Sequence, residues 1–279
     1  MTDDWGFYER RENSERLRIL VNVGYKDRAP LAEYGELLSV TINLYAIMRN
    51  SRSKQEVVTQ LEKTEASLEN WLSSHSKALY VGRINTVNRL EFFYYVNRNH
   101  HDDVKFREWI KRQWDFRVAD YVKPDPEWSF YRYLLPDTLE QLYVHNAQMV
   151  YALIHKGDDI KQPREVYHWL KLKQAEDRLA VESALQALGY RIERDKEGEP
   201  DSAYPFPLVI SRYDNVMLDT VNERVRELYR LLVGVDGRYE GWGSAMRLKG
   251  ASKMKYGLRK WRAVLEAIIK RIWPFHHKR

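Results

Sequence analysis

Residues 204–216 read YPFPLVISRYDNV and run directly into MLDTVNERVRELYRLL at 217–232. The first stretch has a short apolar run, Phe206 to Ile210, between a double-proline entry and a polar exit, which predicts a strand. In the second, Val221, Val225, Leu228 and Leu232 recur at helical spacing. Arg212, Asp214 and Asn215 therefore fall at a β-to-α corner, where Asp214 or Asp219 can cap the helix that follows.

The same alternation extends outward from this corner. Upstream, REVYHWLKLK (164–173) predicts a strand, AEDRLAVESALQALG (175–189) a helix ending at Gly189, and YRIER (190–194) a strand. A polar, turn-rich loop, DKEGEPDSA, separates that strand from the quoted one, and GRYEGW (237–242) supplies a last strand. The order is β-α-β-β-α-β, the split βαβ or ferredoxin-like motif.

The N-terminal half repeats that order. LRILVNVG (17–24) predicts a strand paired with WGFYERR before it. Leu38, Val40, Ile42, Leu44 and Ala46 alternate as in a half-buried strand. Val57, Leu61, Thr64, Leu68 and Trp71 then share a helical face, with Ser53 as its cap. ALYVGRI and RLEFFYYV form a hairpin across NTVN, HDDVKFREWIKRQW a helix, and FRVADYV a closing strand. Pro124 and Pro126 break the pattern. A helix over Thr138 to His155, with Leu139, Leu142, Asn146, Met149 and Leu153 on one face, reads as a bridge between domains, with Gly157 as its stop. The expected organisation is α+β: an N-terminal domain at 1–136, a helical linker at 137–163, a second domain at 164–245, and a basic tail at 246–279.

Composition narrows the function classes. Hydrophobic residues make up 44% and aromatics 13%, enough for buried cores. The absence of cysteine removes disulfides, thiolate metal sites and cysteine nucleophiles. The acidic start MTDDWGFYERR has no apolar signal core, so a cytoplasmic location is expected. Charge is unevenly placed. From Arg247 to Arg279 there are 11 Lys or Arg against one acid, Glu266, so this segment carries +10 and the remainder −4. Leu258, Trp261, Leu265, Ile268 and Ile272 lie on one helical stripe, with Lys253, Lys255, Arg259, Lys260, Arg262, Lys270 and Arg271 supplying the charge. Three readings of this tail stay open: docking on the body, lying on an anionic membrane surface, or neutralising RNA phosphates.

No catalytic constellation emerges. His168 alternates with Val166, Leu170 and Leu172, so it points to the apolar face of its strand as a structural histidine. HHDD (100–103) opens a helix, where Asp102 or Asp103 is a cap rather than a metal ligand. No zincin, EF-hand, P-loop or dinucleotide motif occurs, and no cofactor is expected. In EFFYYV, Phe92 and Tyr94 belong to one face with Leu90 and Val96. Phe93 and Tyr95 take the other, set to pack on a neighbouring element rather than to stack RNA bases.

REVYHWLKLKQAEDRLAVESALQALGY, YPFPLVISRYDNV and GRYEGW, in that order over Arg164 to Trp242, resemble the ribonuclease E activity regulator B family. DWGFYERR, LYVGRINTVNRLEFFYYV and PEWSFYRYLLPD resemble a bacterial domain family of unknown function that often precedes such regulator-like domains. The resemblance implies a ferredoxin-like second domain that binds an RNA-degrading endonuclease and has no chemistry of its own. This chain departs from the small, acidic, single-domain regulators by its added domain and its tail. The expected partner surface is the exposed side of the helices at 176–188 and 218–232, with Glu176, Asp177, Glu182, Glu223 and Glu227. Those acids suit an arginine-rich segment and fast, salt-sensitive association.

Overall fold

The computed structural model describes residues 4–51, 53–114, 116–193 and 202–248. The chain is mixed α+β with two antiparallel sheets, and it divides into two compact units, one through Glu140 and one from Gln141. Residues 249–279, which include the tail stripe and Lys253, Lys255, Arg259, Lys260, Arg262, Lys270 and Arg271, lie outside the described residues.

In the first unit, β1 (Trp5–Glu12) and β2 (Glu15–Asn22) form a hairpin. Asn13 and Ser14 both have positive φ at its turn, the backbone that lets a tight hairpin match strand twist. Then come β3 (Glu36–Asn43), α1 (Leu44–Asn50), α2 (Lys54–His75), β4 (Ala78–Asn85), β5 (Arg89–Val96), α3 (Asp103–Gln113), β6 (Val118–Pro124) and α4 (Ser129–Leu134). The sheet order is β1-β2-β4-β5-β3-β6, antiparallel throughout. Its β6-β3-β5-β4 portion interleaves first and last strands as a β-α-β-β-α-β chain does, and the hairpin extends the β4 edge. Gly82 permits that addition: a Cβ there would stand 2.5 Å from the Leu20 carbonyl oxygen.

The strand expected to reach Ala46 stops at Asn43. The Asn43 side chain accepts the Tyr45 backbone N–H at 2.9 Å and starts α1, in which Leu44 and Ile47 are buried. Alternation and the i, i+3 spacing of a helix overlap over these few positions. Helix α2 begins as expected, with the Ser53 hydroxyl accepting the Glu56 N–H.

Both faces of this sheet are covered. Leu38, Val40, Ile42, Phe92 and Tyr94 pack under α2 and α3, against Leu68, Trp71 and Phe106. On the other face Phe93 meets Phe130 at 4.4 Å and Tyr95 stacks on Trp128 at 4.0 Å. The two aromatic-rich segments of the sequence thus cover one another through α4. Too short to show a period, α4 was not expected as a helix. Asp125 holds it in place, accepting the Tyr95 hydroxyl at 2.6 Å and the Ser129 and Phe130 amides at 2.9 Å.

Helix α5 (Thr138–His155) opens with a reciprocal pair: Asp137 accepts the Glu140 N–H and Glu140 the Asp137 N–H, a capping box in geometry. The second unit continues with β7 (Arg164–Leu172), α6 (Asp177–Ala187), β8 (Arg191–Ile192), β9 (Phe206–Asp214), α7 (Leu218–Val233) and β10 (Arg238–Ser244). Its sheet order, β10-β7-β9-β8, is antiparallel and repeats the interleaved arrangement. Gly189, at φ +83°, ends α6 with Tyr190 donating to the Leu185 carbonyl, the left-handed stop that glycine provides.

Val166, His168, Leu170 and Leu172 of β7, with Leu208 and Ile210 of β9, face Val181, Leu185, Val221, Val225 and Leu228. Helix α5 buries Tyr143, Asn146, Ala147 and Val150, a stripe rotated from the one expected. Asn146, common to both stripes, anchors the helix. The Asn146 amide donates to Asn222 and accepts from the Trp242 indole N–H, both at 2.9 Å. Among the described residues, no helix is long and apolar enough to cross a membrane.

Candidate interaction site

The corner after β9 gathers charge. The register of β7 and β9 sets Arg212 opposite Val166 and Asp214 opposite Arg164. Arg212 and Asp214 therefore turn toward the helices, and α7 brings Arg224 and Glu227 to meet them. Asp214 accepts from Arg224 Nε at 3.1 Å and stands 3.4 Å from Arg212 Nε. Glu227 lies 3.4 Å from Arg224 Nη1 and 3.8 Å from Arg212 Nη1. The Tyr190 hydroxyl donates to Glu227 at 2.9 Å, and Arg212 lies over the Tyr190 ring while donating to the Leu188 carbonyl. Burial, with Glu227 beside it, pushes the Tyr190 hydroxyl pKa upward, so it stays a proton donor.

Neither expected cap is used. Helix α7 starts at Leu218, so Met217 holds the cap position without a side-chain bond, and Asn215 accepts the Met217 N–H instead. Asp214 is committed to the two arginines, and Asp219 lies one residue inside the helix.

Behind the cluster, His168 is 2% exposed, with Nδ1 2.9 Å from the Tyr239 hydroxyl. Burial first, then the Arg224 and Arg212 charges, push its pKa down to about 3. The imidazole is therefore neutral at physiological pH and engaged by Tyr239, as a structural histidine is. Two cations face two carboxylates in front of it. Mutual ion pairing ties β9 to α7 at this corner.

The acids expected to meet a partner fall into two groups. Glu176 is exposed where α6 begins, Asp177 is in its first turn, and Glu182 pairs with Arg178 at 2.7 Å. Glu223 points outward from α7. Glu227 turns inward to the cluster. Arg224 and Tyr190, central to the network, were not singled out from sequence. Arg224 reads as one more polar residue on a helix, and only the corner geometry gives it a role.

In the HHDD segment Asp102 caps α3 through the Val104 and Lys105 amides, His100 contacts Asn97, and His101 contacts Ser76 through Nδ1 and lies 3.2 Å from Asp103 through Nε2. In the first unit an open cleft of about 410 Å³ is lined by Thr41, Asn43, Asn88, Arg89, Arg117 and Ala119. Arg89 is shared there with Glu91 and Glu15.

Residues 144–244 match the family model described as Regulator of ribonuclease activity B. Residues 3–135 match a family of unknown function, DUF695. The resemblance read from sequence therefore holds for both regions and in the same order. No curated protein matches the chain.

Proposed function

We propose that this chain is a non-enzymatic regulator that binds an RNA-degrading endonuclease through its second unit. The match of residues 144–244 to the ribonuclease-regulator family carries the reading. The interleaved β10-β7-β9-β8 sheet with its helices supports a ferredoxin-like scaffold for that unit. The mode of action is steric: a folded surface masks the nuclease's substrate or scaffold contacts. Neutral, buried His168 and the charge-balanced corner fit bracing of a surface better than turnover. The acids Glu176, Asp177, Glu182, Glu223 and Glu227 are the proposed contacts; Glu176 and Glu223 are the exposed ones, and Glu227 also bonds into the corner. A cytoplasmic protein acting on RNA turnover fits this picture. A second reading, in which Lys253, Lys255, Arg259, Lys260, Arg262, Lys270 and Arg271 bind RNA or an anionic membrane surface, rests on the charge of the tail.

The test is a pull-down from native lysate with the full chain and with a chain ending at Ala245, each with and without nuclease treatment. Retention of an endonuclease by both after nuclease treatment supports the regulator. Recovery of RNA alone, lost on truncation, overturns it in favour of the tail.

A further inference from the structure

One face of the second sheet carries the helices; the other presents rings. In the β7–β9–β10 register, Glu165 lies opposite Tyr213, Tyr167 opposite Ser211 and Gly243, Trp169 opposite Val209, and Lys171 opposite Pro207 and Arg238. Strand β8 adds Arg191 beside Ser211. Side chains opposite one another point to the same side, and successive rows along a strand are about 7 Å apart. On this face Tyr213 is 65% exposed, Trp169 37% and Tyr167 half-buried, while Ser211 between them is buried.

Trp169 packs against a glycine. A Cβ on Gly243 would come within 3.1 Å of the indole six-membered ring. The absent side chain thus makes room for the ring on the sheet surface.

We propose that this face is a stacking platform for single-stranded RNA, with bases on Trp169, Tyr213 and Tyr167. The three rings stand on the two central strands of an interleaved four-stranded sheet, where splayed bases can reach them. Flat aromatics with polar edges suit base faces, and every base offers one. An aliphatic groove for an amphipathic helix is missing: the rings' neighbours are Ser211, Val209, Glu165 and Arg191.

The cations for the phosphates border the rings. Arg191 is exposed and shared between Glu193 at 2.9 Å and Glu165 at 3.2 Å, and Arg238 with Glu240 at 2.8 Å. Such surface pairs are worth little, so a phosphate can compete for the guanidinium groups. The described chain also ends beside the Tyr213 end of the face. Asp158 bridges to Leu248 and Ser244 pairs with Val166 there. The choice of RNA over DNA rests on the regulator reading; the platform itself rests on geometry.

The test is fluorescence anisotropy of a 5′-labelled 12-nucleotide single-stranded RNA titrated with the purified full chain. Trp169→Ala and Tyr213→Ala are each expected to weaken binding about 5- to 100-fold. Trp169→Phe and Tyr213→Phe should stay close to the unmodified chain, because the ring remains. Thermal unfolding of each variant establishes that it is folded, and Tyr213, the more exposed, provides the result if Trp169→Ala is unstable. Failure to bind RNA overturns the inference. So does unchanged affinity in the folded alanine variants, which assigns binding to the tail. Equal or tighter binding of single-stranded DNA of the same sequence overturns the RNA assignment. No nuclease is present in this measurement, so its failure is distinct from failure to capture an endonuclease.

Discussion

Arg164 and Asp158 form an ion pair with 2.7 Å between Nη1 and Oδ2, and neither side chain is more than 1% exposed. Arg164 also donates to the carbonyls of Asp159, Gln162 and Ala245, and Asp158 accepts the Arg247 amide. The pair fastens the exit of β10 to the segment that enters β7. Removing one partner leaves a buried charge uncompensated, at about 3–5 kcal/mol. Asp158→Ala or Arg164→Ala alone is expected to lower the unfolding free energy by that amount in urea titrations. The double variant should cost clearly less than the two added together. Strict additivity would show that the pair is not coupled.

His168 makes stability depend on pH in a defined direction. Its folded pKa is near 3, against about 6.5 in an unfolded chain. Between these values the unfolded state binds the extra proton, so the contribution is present above pH 6.5 and is lost on acidification below it. The groups facing the ring are Tyr239, Tyr190, Arg212 and Arg224, and none offers an anion to a protonated imidazole. From pH 7 to pH 5 the loss from this group is about 2 kcal/mol. His168→Gln keeps a polar partner for Tyr239 and is expected to lose about 2 kcal/mol less over that interval. Parallel stability curves for the two proteins would contradict a neutral, buried imidazole.

The sheets were legible because Val166, His168, Leu170 and Leu172 alternate without interruption and are bounded by turn residues. The capping of α2 by Ser53 and the glycine stop of α6 were legible for the same local reason. What escaped depended on partners distant in sequence. Helix α4 exists because Asp125, Tyr95 and Trp128 hold six residues in place, not because those residues carry a period. The face that α5 buries was only partly readable from its spacing, since Asn146 alone is shared by the expected and observed stripes, and the corner cap was lost to the claim of two arginines on Asp214. Of the candidate site, the corner could be read but not its network. Tyr190 and Arg224 acquire meaning only when β9 and α7 are placed side by side.

Gly82 tests how the N-terminal hairpin joins the first sheet. A Cβ at this position would meet the Leu20 backbone oxygen at 2.5 Å and the Val21 Cα at 3.2 Å. Backbone cannot rotate away as a side chain does, so Gly82→Ala must shift β2 relative to β4. The expected cost is about 1–3 kcal/mol, as in other overpacked sites, and it should appear with faster hydrogen exchange at the β2 amides. Unchanged exchange there would mean that the ladder absorbs the methyl group.

The proposed nuclease contacts differ in how they meet the corner network: Glu223 lies 3.9 Å from Arg224, whereas Glu227 is bonded into the corner. Glu176 and Glu223 project from α6 and α7, and Glu182 meets only Arg178 among its described ion partners. Glu176→Gln, Asp177→Asn, Glu182→Gln and Glu223→Gln together should leave stability within about 0.5 kcal/mol per site. Capture of the endonuclease should weaken mainly through slower association, and its salt dependence should flatten. Glu227→Gln is different in kind, because Tyr190, Arg212 and Arg224 all converge on that carboxylate. It is expected to cost about 1–3 kcal/mol of stability, as other truncated charged hydrogen bonds do. Stopped-flow association at two ionic strengths, beside urea unfolding, reads both effects. If the outer neutralisations change neither rate nor salt slope while Glu227→Gln abolishes capture, the partner contacts the corner itself and not the helix surfaces.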